Sequence, residues 1–80
     1  MSINFPTAQE EFNRAVTASN KNFMYEQAKG GHYRLLCDDE IIHDDSACED
    51  MYDLESAIWF FAGHIFEYYT DLQYNGYTWE

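Results

Sequence analysis

The chain has 80 residues, 46% hydrophobic and 19% aromatic, with a formal net charge of −11 from four basic and fifteen acidic side chains. That length fits one domain, and the aromatic content argues for a packed core rather than a disordered acidic tail. The charge excludes direct nucleic-acid binding as an expected role, because a phosphate backbone repels such a surface.

Residues 1–6 are a lead-in from which Ile3 and Phe5 are expected to tuck against the core. Thr7 and Glu10 have capping-box spacing, which predicts a first helix. Ala8, Phe12, Ala15 and Val16 recur at helical steps and should face inward. The polar stretch Ser19–Asn22 ends that helix. Phe23–Gln27 reads as a strand, and Lys29, Gly30 and Gly31 as a hairpin turn. His32–Cys37 is a second strand, with Tyr33, Leu35 and Cys37 on one face. Asp38 and Asp39 turn the chain into a short third strand, Glu40–Asp44, that carries Ile41 and Ile42. Asp45–Tyr52 is an acidic connection.

Asp53–Leu72 then predicts a long helix, about 30 Å for its twenty residues. Asp53 is its expected N-cap, and an earlier start is open because Ser46 and Glu49 also have capping-box spacing. Leu54, Ile58, Phe61, Ile65, Tyr68 and Leu72 form one apolar face, widened by Ala57, Ala62 and Tyr69. Tyr52, Trp59 and Phe66 recur every seven residues as a second stripe, either covered by the same chain or turned to a partner. The favoured reading is burial. Asn75 and Gly76 should end the helix, and Tyr77–Trp79 follow as an edge strand or tail. The longest apolar run, Ala57–Gly63, is far short of the ~20 residues that cross a bilayer.

These elements make a single α+β domain over residues 1–80, in the order α-β-β-β-α. A three-stranded antiparallel meander packs against a long C-terminal helix and a short N-terminal one. The N-terminus lacks a basic region followed by an apolar one, and two cysteines make no disulfide framework. Both features predict a cytoplasmic protein with reduced thiols, Cys37 half-buried and Cys48 the more exposed.

No cofactor is expected. His32, Cys37, His43 and Cys48 are spaced five, six and five apart, without the close ligand pairs of zinc sites. The acidic run has isoleucines at its centre and no glycine, unlike a calcium loop. Cys37 with His43, and His64 with Glu67, are the available nucleophile–base pairings. The second is a neighbour contact on one helix, and so small a domain has little room for a pocket. The reading is of a protein that is not an enzyme.

What stands out is the charge distribution. Asp38–Glu55 holds nine carboxylates and no Lys or Arg, and no basic residue follows Arg34. Like charges this dense oppose one another, which points to binding rather than to a solvated face alone. With about eighty residues, strong negative charge, dense aromatics and no catalytic motif, the chain resembles small acidic phage and mobile-element inhibitors. These are the anti-CRISPR and anti-restriction proteins of DNA-mimic type. The resemblance is one of composition, with no shared motif, and carries no residue across. It implies blocking of a basic surface on a nuclease or other nucleic-acid-binding complex, in the host cytoplasm if the chain is phage-encoded. Acidic immunity or antitoxin proteins that plug nuclease toxins share this composition. A homodimeric adaptor built on the second aromatic stripe is the other alternative to a monomer. The expected partner-binding residues are Asp38, Asp39, Glu40, Asp44, Asp45, Glu49, Asp50 and Asp53. Trp59, Tyr74 and Trp79 are the candidate aromatic anchors.

Overall fold

Helix α1, Ala8–Ser19, begins where the capping box predicts. The Thr7 hydroxyl accepts from the Glu10 amide at 3.1 Å, and the Glu10 carboxylate accepts from the Thr7 amide at 2.8 Å. Asn20 ends it in the left-handed conformation, φ 62°. The computed structural model describes residues 7–70, so the expectations for Ile3, Phe5, Leu72, Tyr74, Asn75, Gly76 and Tyr77–Trp79 lie outside the described residues.

Strands β1 (Phe23–Gln27), β2 (Tyr33–Cys37) and β3 (Glu40–His43) form the antiparallel sheet β1-β2-β3. The first hairpin pairs Phe23 with Cys37 and Gln27 with Tyr33. Its turn uses Gly31 at φ 101°, a conformation costly for a side-chain-bearing residue. The second hairpin turns through Asp38 and Asp39, both at positive φ as a two-residue hairpin turn requires. Alternation sends Phe23, Tyr25, Tyr33, Leu35 and Cys37 to one face of the sheet, where both helices cover them. On the outer face Glu26 stands opposite Arg34 and forms an ion pair with it. Met24, Leu36 and Ile41 make a row beside that pair.

Between β2 and β3 the register shifts. Leu36 pairs with Ile41 and Leu35 with His43, leaving Ile42 as the extra residue of a bulge. The bulge turns Ile42 against the core and still leaves His43 on the helix-covered side.

After β3 the acidic connection folds into a 3-10 turn, Glu49–Tyr52, and helix α2, Leu54–Tyr69, follows. Asp53 caps α2 by accepting from the Ser56 amide at 3.0 Å. The alternative start at Ser46 is not realised: Cys48 precedes the 3-10 turn without a side-chain cap. Met51 in that turn is almost wholly buried.

Helix α2 is shorter than expected. Thr70 is extended (φ −136°, ψ 162°), and its hydroxyl donates to the Phe66 carbonyl at 2.8 Å. An aromatic pair followed by a β-branched residue is a poor helix continuation, and that hydroxyl offers the last turn another partner.

The buried face of α2 is also rotated from expectation. Ala57, Ile58, Phe61, Ala62, Ile65 and Phe66 are buried, whereas Leu54 and Tyr68 are exposed. Helix α1 is the reason. It lies along α2, and Arg14 carries its guanidinium 4.6 Å from the centre of the Phe66 ring, drawing Phe66 into the core. The second stripe is divided: burial, the favoured reading, holds for Phe66, whereas Tyr52 is exposed. Phe66 is core, Trp59 is half-buried against it, and Tyr52 lies in the 3-10 turn. Cys37 and Cys48 are both partly buried against the core, and both are free thiols. No helix among the described residues is long and apolar enough to cross a membrane.

Candidate acidic interface

Asp38, Asp39, Glu40, Asp44, Asp45, Glu49, Asp50 and Asp53 are all exposed. Tertiary structure divides them into two groups. Asp38, Asp39 and Glu40 form a turn pole at one end of the β2–β3 hairpin. Asp44, Asp45, Glu49, Asp50 and Asp53 lie beyond the other end of β3, around the 3-10 turn and the start of α2. Strand β3, Glu40–His43, runs between them: Glu40 lies opposite Cys37 and Asp44 follows His43 opposite Leu35, so these two acids stand roughly 10 Å apart along the sheet.

Each pole has a local framework. At the turn pole, the Asp38 amide donates to the Asn22 carbonyl at 2.9 Å, and the Asn22 side-chain amide donates to the Asp38 carboxylate at 3.3 Å. These bonds tie the turn to the residue that precedes β1. Asp38 and Asp39 also line a hollow with Asn22, Phe23 and Met24. Partial burial, with Asp38 and Glu40 close by, pushes the Cys37 thiol above its ordinary range, and Lys21 opposes that effect. A thiol held protonated is a poor nucleophile.

At the other pole the carboxylates divide by role. Asp45 accepts from the Ala47 amide at 3.0 Å, and the Tyr52 hydroxyl donates to the Ser46 carbonyl at 2.8 Å. The Ser56 amide bonded to Asp53 holds that carboxyl below the usual carboxylate range. Asp44 is a structural acid. It lies 2.5 Å from Nε2 of the buried His32 and 3.9 Å from the Arg34 guanidinium. Nδ1 of His32 is buried without a hydrogen-bond partner. Among the described residues, Asp39, Glu40, Glu49 and Asp50 have no such partner and present free charge to solvent.

Comparison with protein-family models, curated proteins and solved structures finds no match. The site is therefore read from its own chemistry. Free carboxylates at the two poles attract cations. Among the described residues no three His, Cys, Asp or Glu side chains come together as metal ligands.

Of the anchors expected from sequence, Trp59 is half-buried against the core, while Tyr74 and Trp79 lie outside the described residues. The exposed rings of α2 are instead Phe60 and Tyr68, with His64 between them. Steps of four along the helix were the available signal, but the same rings could equally be assigned to the core.

Proposed function

We propose that this protein is a non-enzymatic inhibitor that occupies a basic, nucleic-acid-binding surface of a nuclease or defence complex, in the manner of a DNA mimic of anti-CRISPR type. One observation carries the reading. Four of the eight predicted carboxylates, Asp39, Glu40, Glu49 and Asp50, are free, and they stand in two groups beyond opposite ends of β3. DNA carries a phosphate about every 3.4 Å along a strand, so a surface built to meet that lattice meets negative charge at both ends of β3. The folded core supports stoichiometric blocking rather than coupled folding. An immunity or antitoxin role against a basic nuclease toxin uses the same chemistry with a different target, and the composition of the partner separates the two.

The test is association with basic DNA-binding nucleases at increasing ionic strength, with and without competing duplex DNA. Association should slow steeply as salt rises, with a smaller change in dissociation, and DNA should displace the protein. Glu49→Lys with Asp50→Lys should weaken binding and leave the circular dichroism spectrum unchanged. Asp44 is unsuitable for this purpose because it holds His32 and Arg34. Association indifferent to salt, or a complex that excess DNA leaves intact, rejects the reading.

A further inference from the structure

Phe60, His64 and Tyr68 follow one another at steps of four on α2, outside the core. Phe60 is 44% exposed and Tyr68 is 65% exposed. The rings touch in series. Phe60 stacks on His64 at 6.0 Å and 21°, and His64 meets Tyr68 at 4.9 Å. The β3 bulge adds His43, whose ring lies 4.7 Å from Phe60 and 5.8 Å from His64. Burial and His43 hold the His64 imidazole below its ordinary range, so it stays an uncharged ring near neutral pH.

The surroundings are acidic. Glu67 acts on His64 from the same helix, Asp53 begins the same helical face, and Asp44 and Asp45 directly follow His43. From residue 35 onward the chain has no Lys or Arg to neutralise them. The protein already holds one cation by this combination. The Arg14 guanidinium is bonded to Glu11 at 2.9 Å and lies 4.6 Å from the centre of the Phe66 ring.

We propose that the Phe60–His64–Tyr68 stripe, with Glu67 and the acidic start of α2, is a docking surface for arginine side chains of a basic protein partner. This rests on the reading of the acidic face given above and adds which cation it selects. Guanidinium is planar, weakly hydrated and able to stack on a ring while donating to a carboxylate; ammonium is compact and strongly hydrated. A bare acidic surface would accept either. A second copy of the chain is a poor occupant: it brings another −11 of charge, and both arginines are engaged within their own chain.

The test titrates the full chain with a nine-arginine peptide and a nine-lysine peptide at fixed ionic strength, using calorimetry. The arginine peptide should bind about tenfold more tightly, the gain expected from two exposed ring–cation contacts. A Phe60→Leu, Tyr68→Leu double variant keeps apolar, helix-compatible side chains but removes both ring faces. It should lower arginine-peptide affinity more than lysine-peptide affinity and bring the two to within about twofold of each other. Equal affinities in the unaltered protein overturn arginine selection and leave the basic-partner reading standing. Binding of neither peptide overturns both. An arginine preference that survives in the double variant places the guanidinium contacts elsewhere and overturns the stripe. So does light scattering that shows a dimer which the double variant abolishes, for then a second copy covers these rings.

Discussion

Arg14 holds an acid and a ring together. Glu11 is 4% exposed on α1, and its carboxylate is tolerated there because the guanidinium is bonded to it. The same guanidinium covers Phe66. Arg14→Ala should therefore cost about 1–3 kcal/mol by leaving a buried carboxylate unpaired, read as a lower urea midpoint. Arg14→Lys should recover only part of this, since an ammonium cannot stack and bridge together. His64 sets a pH dependence of known sign. The unfolded chain takes up a proton on this imidazole near its ordinary 6.5, and the folded chain only at lower pH. Between those values the unfolded state binds more protons, so His64 stabilises the fold above the window and loses that contribution as pH falls through it. Thermal melting at pH 7.5 and 5.5 should show a smaller drop for His64→Gln than for the unaltered chain.

Helix α2 was legible as an amphipathic helix, but its inward direction was not. Steps of three and four placed Leu54 and Tyr68 with Ile58, Phe61 and Ile65, whereas the structure exposes the first two; Phe66 is buried, as favoured for the second stripe. A helix with apolar residues on several sides has no single best face by periodicity. The docking of α1 decides it. Truncation should separate the two sets: Phe61→Ala should cost about 3–5 kcal/mol, and Tyr68→Ala should leave the denaturant midpoint nearly unchanged. In the β2–β3 hairpin, Asp39 sits at φ 69°, where glycine is favoured. Asp39→Gly should raise the melting temperature, both by relieving that conformation and by removing one charge from the turn pole. Deleting Ile42 should restore a regular ladder with His43 still opposite Leu35, so the nuclear Overhauser contacts between His43 and Phe60 should persist while the core contact of Ile42 is lost.

Across the whole molecule, fifteen acids meet four bases. Arg14 and Arg34 are engaged by Glu11, Glu26 and Asp44, so the two poles keep most of their charge. Folding brings those carboxylates onto one small body, and the repulsion falls when salt screens it. The melting temperature at neutral pH should therefore rise with added sodium chloride. A melting temperature that falls with salt would mean that the carboxylates are compensated within the chain, which would also weaken the inhibitor reading.

Local chemistry determined the parts of this protein that depend on near neighbours. Thr7 and Glu10 start α1, Gly31 and the Asp38–Asp39 pair turn the hairpins, Asp53 caps α2, and alternation puts Tyr33, Leu35 and Cys37 on one face. Each follows from hydrogen bonds or backbone preferences within a few residues. Tertiary structure alone decided the rest. It chose the buried face of α2 by packing α1 along it and buried Met51 within the acidic connection. It placed His43 beside Phe60 and His64 through a bulge that no residue type announces. It also split one continuous acidic run into two poles, because β3 runs extended between Glu40 and Asp44, which the sequence keeps only four positions apart.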